Sequence, residues 1–256
     1  MNIKLGDFTL LSQDYVNYRP SYSKLIVDLM FGALNKHPNQ VVAADIGAGT
    51  GIFTKLILEK NPKELYAVEP NENMLLAGKK FLPNGVKWMA ACAESTELPS
   101  NTFDLITMAS SFHWTNTHTA LNEFNRLIKP SGIFAALWNP RITELSEIES
   151  IIDSILTNEY SVKSRVSSGR SGITSDLTNI LKSTSFFSDV SYIETVNKVC
   201  VSPERYIGAW RSVNDIRSQL GEENFAKFIT QVSTIVSGVK HVEVYYMTRA
   251  WISKIK

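Results

Sequence analysis

Short apolar segments alternate with amphipathic helical segments between residues 22 and 140, and this alternation restricts the fold more than any other feature. The apolar segments, such as VVAADI at 41–46, are typical of strands that are buried on both faces. The segments between them, such as 117–128, place apolar side chains along one helical face. Strands that alternate with helices form βαβ units. We therefore predict an α/β protein with a doubly wound, mostly parallel sheet.

The pattern changes after residue 140, where helices are predicted around two more strands. We expect residues 1–140 to form a core with an N-terminal helical segment. Residues 141–256 would supply cap helices and the last two strands of the same sheet. The serine-rich stretch 161–175 is predicted to be a loop, either a lid or a plain surface loop. The predicted elements are helices at 142–158, 176–183, 203–211 and 222–236, and strands at 190–201 and 242–252.

The composition argues against several classes of protein. A formal net charge of +1 gives no electrostatic footprint for nucleic acid or for an anionic membrane. Two cysteines, Cys92 and Cys200, are too few for a disulfide framework or a zinc site. The N-terminus has no signal-peptide pattern, and the most apolar helical run is interrupted by Asp28. We expect a cytoplasmic protein, monomer or homodimer, with a small-molecule substrate, no nucleic-acid or membrane partner and no metal.

Three glycines at alternate positions, 47, 49 and 51, directly follow the first predicted strand. In a doubly wound sheet, ligands bind at the carboxyl ends of the strands. Glycine there permits a positive φ and a close approach of the backbone to a ligand. A tight strand-to-helix turn without a ligand is the alternative interpretation. Three alternate glycines after an acidic residue argue against it.

The spacing of these glycines argues against a dinucleotide. The dinucleotide fingerprint GxGxxG needs a small residue at position 52, where this chain has Ile52. Asp45 would repel a diphosphate, but it can accept hydrogen bonds from an ammonium group. Glu69, at the end of the second predicted strand, is placed to accept the ribose hydroxyl protons. The predicted ligand is a nucleoside with a positive or zwitterionic tail, which is the shape of S-adenosylmethionine.

An ordered set of motifs over residues 14–140 resembles the class I S-adenosylmethionine-dependent methyltransferases, in the small-molecule branch that includes trans-aconitate-type enzymes. The resemblance implies a Rossmann-like, seven-stranded sheet with a reversed last strand, a helical C-terminal cap and no metal. It also implies methyl transfer to O or N of a small-molecule metabolite by in-line displacement, with S-adenosylhomocysteine as the product. The motifs are NYRP (17–20), ADIGAGTGIFT (44–54), AVEPNENM (67–74), AESTELP (93–99), FDLITMASSFHW (103–114), RLIKPSG (126–132) and WN (138–139).

The candidate cofactor residues come from these motifs. The resemblance implies that the N-terminal segment folds over the cofactor, so that Arg19 pairs with its carboxylate, although a surface arginine is the alternative. It places Ser110 and Ser111 beside the sulfonium. Backbone groups around Ala93 would meet the adenine edge, whereas Glu94 fits a capping turn equally well. The full set is Tyr15, Tyr18, Arg19, Asp45, Gly47, Ala48, Gly49, Gly51, Glu69, Pro70, Met74, Cys92, Ala93, Glu94, Ser110 and Ser111.

The candidate catalytic and substrate residues each have more than one possible role. His113 is either a general base, because its ordinary pKa suits that task, or a residue that shapes the pocket. Trp114 either packs or meets a cation with its ring face. Arginines of the cap suit carboxylate substrates, or are solvated, and the cap aromatics suit an aromatic or indole-like metabolite. The substrate set is His113, Trp114, Asn139, Arg141, Tyr206, Trp210 and Arg211.

Two functions of other kinds remain as alternatives. An NAD(P)-dependent oxidoreductase is disfavoured by Asp45, Ile52 and the GxGxG spacing. A non-catalytic cofactor-binding protein would keep the same motifs and lack turnover.

Overall fold

The computed structural model describes residues 18–162, 169 and 172–256, and seven strands in these ranges form one sheet. They are β1 (Val42–Ile46), β2 (Glu64–Val68), β3 (Lys87–Met89), β4 (Phe103–Ala109), β5 (Ile128–Trp138), β6 (Phe187–Val201) and β7 (Val242–Ile255). The strand order is β3-β2-β1-β4-β5-β7-β6. The first five strands pair in parallel, and β7 is antiparallel to both β5 and β6. The predicted fold is confirmed, including the reversed last strand.

Helices cover both faces of this sheet, as the apolar strands predicted. The helices in the described ranges are α1 (Lys24–Ala33), α2 (Ile52–Leu58), α3 (Glu72–Phe81), α4 (Thr117–Leu127), α5 (Glu147–Asn158), α6 (Leu177–Ser183), α7 (Pro203–Arg211) and α8 (Asn214–Ile235). α1 and α2 pack on one face, and α4 and α6 pack on the other. A third apolar cluster joins α5, α7 and α8 to β7. None of the helices in the described ranges is both long and apolar enough to cross a bilayer.

Several elements differ from their predicted bounds. The segment KPSG at 129–132, predicted as a turn, lies inside β5 as an irregularity: Phe103 pairs with Ile128, whereas Leu105 pairs with Ile133. The extra residues bulge out of the strand. The helix predicted at 142–158 begins at Glu147, after a short 3-10 helix over Thr143–Leu145. The helix predicted at 222–236 does follow a break at Gly221, whose φ of 72° is not helical, but a further helical stretch that starts at Asn214 precedes the break. Within the predicted loop 161–175, residues 163–168, 170 and 171 lie outside the described residues.

Candidate cofactor and substrate site

A cavity of about 410 Å³ opens at the carboxyl ends of the parallel strands. Its wall is built from residues 47–49 after β1, 69–71 after β2, 109–111 at the end of β4, and 139–141 after β5. The volume lies within the range of small-molecule sites. The position is the crevice where doubly wound sheets bind their ligands.

The glycine turn after β1 (residues 47–51) is left-handed at all three glycines, with φ values of 66°, 57° and 84°. Gly47 and Gly49 line the cavity. A Cβ on Gly47 would lie 2.6 Å from the Cβ of Ser111, so no larger residue fits there. Gly51 does not line the cavity, and its contact with the cofactor stays a prediction. Gly51 caps the start of α2 and faces the Trp88 ring, which a Cβ would meet at 3.2 Å.

The carboxylate of Glu69 is fixed by backbone groups on both sides. Its two oxygens accept hydrogen bonds from the Gly49 N–H, at 2.8 Å, and the Asn71 N–H, at 2.9 Å. Burial raises the pKa of Glu69, and the two backbone hydrogen bonds oppose that rise. The residue still lines the cavity, and each oxygen has a further lone pair. The geometry suits a ligand with neighbouring hydroxyl groups.

Asp45 lies behind the cavity wall and does not line it. The side chain is fully buried, and its oxygens accept from Thr54 Oγ1 at 2.6 Å and Thr107 Oγ1 at 2.8 Å. Burial raises the pKa of Asp45 to about 6, although the two threonine hydrogen bonds lower it. Both threonines draw the carboxylate away from the cavity into the packing between β1, β4 and α2, and the contact of Asp45 with a ligand ammonium group stays a prediction.

The turn after β3 supplies another part of the wall. Cys92, Ala93 and Glu94 line the cavity together with Pro70 and Met74 from the β2–α3 connection, as predicted. Glu94 also accepts a hydrogen bond from the Asn116 N–H, at 2.7 Å, just before α4. The two interpretations of Glu94 therefore hold together: it steadies the start of a helix and it faces the cavity.

The N-terminal segment covers part of the cavity, but not with the residues that the sequence indicated. Arg19 lines the wall and donates from Nη2 to the Ser212 carbonyl, at 3.0 Å. Tyr18 does not line this cavity, because its ring packs over Gly208 of α7. Tyr22, which the sequence analysis missed, lines the wall and donates its hydroxyl hydrogen to Ser110 Oγ, at 2.8 Å. Tyr15 lies outside the described residues.

The segment after β4 brings Ser110, Ser111 and Trp114 to the wall, whereas His113 is turned away from it. Trp138 Nε1 donates to His113 Nδ1 at 3.2 Å, and the His113 ring lies 4.5 Å from the Trp114 ring. Burial lowers the pKa of His113 to about 4. Neither this position nor the lowered pKa favours the general-base interpretation, and the role of His113 stays a prediction. The packing behind Trp114 fits the interpretation in which His113 shapes the pocket.

The side of the cavity after β5 carries a buried guanidinium. Arg141 lines the wall, its Cζ lies 4.1 Å from the Trp210 ring centroid, and its Nη1 lies 3.5 Å from Glu149 Oε1. Tyr206 donates to the same Glu149 oxygen, at 2.6 Å. Burial lowers the pKa of Arg141, but the Glu149 carboxylate together with the Tyr246 and Tyr206 hydroxyl groups outweighs burial and raises it above its ordinary value.

Of the remaining predicted substrate residues near Arg141, some line the cavity and others do not. Asn139 lines the cavity. Tyr206 and Trp210 stand behind Arg141 and do not reach the wall, and Arg211 is exposed outside it. The structure does not bring these three residues to the cavity, because the face of α7 that carries Tyr206 and Trp210 packs into the third apolar cluster, and their substrate contacts stay predictions.

Sequence reasoning missed several residues of the wall. Those close to the motifs had a positional signal, since they flank the glycine turn, β4 or the NYRP segment. Those from the last part of the chain had none, because tertiary packing alone brings them to the site. The missed residues are Pro20, Tyr22, Ile52, Phe53, Asn71, Met108, Ala109, Thr115, Pro140, Val213, Asp215 and Tyr246. The described residues hold no group of three or more potential metal ligands.

Comparison with known proteins relates this chain to methyltransferases. Residues 44–136 match the profile of a methyltransferase domain family. An uncharacterized methyltransferase-like protein of Schizosaccharomyces pombe is 33% identical over 149 residues, 58% of this chain and 57% of that protein. The chain thus spans about half the length of the curated relatives it matches.

Solved structures agree on the fold. A protein of Anaeromyxobacter dehalogenans, provisionally assigned as a type II methyltransferase, superposes with a TM-score of 0.66 at 18% identity, over 93% of this chain and 98% of the other. A phosphoethanolamine N-methyltransferase of Haemonchus contortus, in complex with phosphomonomethylethanolamine and S-adenosylhomocysteine, superposes with a TM-score of 0.55 at 13% identity, over 96% of this chain and 57% of the other. The chain has the fold of the class I methyltransferases. Residues 44–136 are similar to the methyltransferase domain family.

Proposed function

We propose that the chain is an S-adenosylmethionine-dependent methyltransferase that transfers a methyl group to O or N of a small-molecule metabolite. The observation that carries the proposal is the carboxylate of Glu69, fixed by two backbone N–H groups beside the glycine turn. A vicinal diol fits that carboxylate. The neighbouring walls, apolar at Met74 and Pro70 and polar at the backbone of Ala93, suit a flat nucleobase.

The donor set of the wall fits S-adenosylmethionine better than a dinucleotide. A pyrophosphate would lie at the start of α2, where the side chains of Ile52 and Phe53 face the cavity. A nucleoside with an amino-acid tail needs no such anion site. Arg19 lies on the wall to receive the carboxylate of the tail. The methyltransferase family match supports the same choice against a nicotinamide oxidoreductase.

The proposed reaction depends on the alignment of the two reactants more than on acid–base catalysis. When bound, S-adenosylmethionine supplies a methyl group on a sulfonium, and the leaving group is neutral. The protein then contributes by aligning the two reactants and excluding water. Glu69 orients the ribose, Arg19 holds the tail, and Tyr22 and Trp114 form walls beside the acceptor. With His113 turned away, the site suits a nucleophile that has no proton to lose or loses it to solvent.

The acceptor side supports a small polar metabolite. Asn139, Arg141, Asp215 and Tyr246 place charged and hydrogen-bonding groups on the wall. A buried arginine stacked on Trp210 is pre-oriented for a carboxylate, so Arg141 favours an acceptor with an anionic group. A cytoplasmic location and a monomeric or homodimeric state remain predictions.

Calorimetry with S-adenosylhomocysteine tests the cofactor, with NADH as the comparison ligand. We expect saturable 1:1 binding of S-adenosylhomocysteine and none of NADH. Purified protein with methyl-labelled S-adenosylmethionine and a metabolite extract tests turnover, with mass identification of the labelled product. The proposal fails if the protein binds no S-adenosylhomocysteine. Binding without any labelled product would favour a non-catalytic cofactor-binding protein.

A further inference from the structure

Thr248 of β7 joins three segments of the chain behind the cavity wall. Its side chain is fully buried and is not part of the wall. Thr248 Oγ1 accepts a hydrogen bond from the Ser23 N–H, at 3.0 Å, and donates one to Asn139 Oδ1, at 2.8 Å. The Asn139 amide then donates to the Ser21 carbonyl, at 3.2 Å. One hydroxyl group thus fixes both the end of β5 and the segment that precedes α1.

The segment held in this way carries Tyr22. Its ring meets Phe53 edge-on, with centroids 5.2 Å apart, and its hydroxyl donates to Ser110 Oγ. Ser110 has a φ of 54°, unusual for a non-glycine residue, and its N–H is held by the Leu137 carbonyl at 2.7 Å. The next residue, Ser111, packs against Gly47. Tyr22 therefore connects the N-terminal segment to the loop that touches the glycine turn.

We propose that Thr248 is a positioning residue for methyl transfer, which acts through Tyr22 and Asn139 without touching either reactant. The inference rests on the proposed function, because it concerns the alignment of donor and acceptor in that cavity. In-line displacement is sensitive to small displacements of the groups that hold the reactants. Thr248 holds the Asn139 side chain on one part of the wall and, through the Ser23 N–H, the segment that carries Tyr22 on a neighbouring part, so its loss moves both. The backbone pairing of β7 with β5 and β6 does not use the hydroxyl group.

The chain offers a closely matched control. Thr195 of β6 pairs directly with Thr248 across the two strands. Its Oγ1 is buried and has no hydrogen-bond partner in the described part of the chain. Thr248→Val and Thr195→Val are the same chemical change on the same strand pair, but only the first removes the two hydrogen bonds. Thr248→Ser keeps the hydroxyl group and tests rescue.

Two measurements separate positioning from a general loss of structure. Hydrogen exchange of the Ser23 amide should become at least tenfold faster in Thr248→Val and stay unchanged in Thr195→Val and Thr248→Ser. The initial rate of label transfer from saturating S-adenosylmethionine into a metabolite extract should fall about tenfold in Thr248→Val, the order expected for two lost hydrogen bonds. The dissociation constant of S-adenosylhomocysteine should change less than threefold, because Glu69 and the glycine turn are untouched.

The outcomes are distinct from those that test the proposed function. Wild-type protein that binds no S-adenosylhomocysteine, or transfers no label, defeats the proposed function and this inference with it. A wild type that does both, with Thr248→Val indistinguishable from Thr195→Val in rate, overturns the positioning role alone. Should Thr248→Val not fold, Thr248→Cys replaces it with the same expected results, since a thiol bonds only weakly. A Thr248→Ser variant as slow as the valine variant would also contradict the inference.

Discussion

Glu69 is the residue on which the proposed cofactor site depends most. A Glu69→Gln substitution replaces one carboxylate oxygen by an amide NH₂ group. This group faces either the Gly49 N–H or the Asn71 N–H, and because it cannot accept a hydrogen bond, that bond is lost along with the negative charge. Hydrogen bonds to a charged group contribute about 1.5–3 kcal/mol each. We therefore expect the dissociation constant of S-adenosylhomocysteine to rise about 10- to 100-fold, as measured by calorimetry.

Glu72 provides the control for that variant. It is an exposed carboxylate three residues further along, in the first turn of α3. Glu72→Gln should bind S-adenosylhomocysteine like the wild type. Equal affinity of the Glu69 and Glu72 variants would show that the ribose is held elsewhere.

His113 should matter for stability at acid pH rather than for the pH dependence of the reaction. Its folded pKa of about 4 lies below the ordinary 6.5, since burial disfavours the charged ring. The unfolded chain therefore binds a proton more readily, and His113 costs the fold stability as the pH falls from about 6.5 to 4. Above pH 6.5 the ring is neutral in both states and this effect is absent.

A His113→Gln variant tests this in two ways. The free energy of unfolding, followed by denaturant titration from pH 7.5 to pH 4, should fall less steeply than in the wild type. Comparing the two proteins removes the contribution of Asp45, whose raised pKa acts in the opposite direction over the same range. The pH profile of label transfer between about pH 5 and 8, which spans the ordinary pKa of histidine, should keep its shape. A rise of rate with pH in that range that the wild type shows and the variant lacks would restore His113 as a base.

Single residues of the site were predictable where the chain position alone determines the side of the sheet. Gly47, Glu69 and Ser111 each follow a parallel strand, and the structure brings all three to the cavity wall. Asp45 and His113 were misplaced because the direction of a side chain depends on its packing partners. Thr54 comes from α2, whereas Thr107 and the Trp138 indole come from other strands, and no local pattern indicates that these side chains meet Asp45 and His113.

At the scale of elements, the turn after β1 and the turn after β4 form one contact. Ala at position 47 would adopt a left-handed φ, which costs about 1–2 kcal/mol, and would also clash with Ser111. Overpacking adds about 1–3 kcal/mol. Gly47→Ala should therefore lose about 2–5 kcal/mol in denaturant unfolding and bind S-adenosylhomocysteine poorly.

Gly238 separates the two costs. It has a φ of 84°, and nothing lies within 4 Å of the position of its Cβ, so Gly238→Ala should show the backbone cost alone. Adding Ser111→Gly to Gly47→Ala removes the clashing Cβ and should recover stability beyond the Ser111→Gly single variant. No recovery would mean that the contact between the two turns is not the cause.

Element types and order followed from hydrophobic periodicity, but some boundaries did not. The strands buried on both faces and the helix at 117–128 have strong local patterns, and the structure has them close to the predicted bounds. Residues 129–132 have the composition of a turn but form a bulge within β5, because pairing with β4 resumes at Ile133. Gly221 does mark a helix boundary, but another helical stretch precedes it where the sequence predicted none.

At the scale of the whole molecule, the helical layer of α5, α7 and α8 is tied to the sheet partly through charge. Arg141 follows β5, and Glu149 lies fully buried on α5, with Tyr206 of α7 bonded to the same carboxylate. The sequence predicted a cap here but not this connection, because Tyr206 lies 57 residues from Glu149 along the chain, and Arg141 and Glu149 belong to different elements. Their meeting depends on how the cap packs against β7.

A Glu149→Gln substitution measures that connection. It keeps an oxygen for the Tyr206 hydroxyl and removes the negative charge beside the buried Arg141 guanidinium. Breaking a buried ion pair on one side costs about 3–5 kcal/mol, because the remaining charge stays buried without compensation. Glu147→Gln, two residues earlier on the same helix at an exposed position, should leave stability unchanged. The free energies of unfolding of both variants are measured by denaturant titration and compared. Equal stability of the two would mean that packing of the third apolar cluster alone holds the layer, and that the Arg141 charge is compensated by other groups.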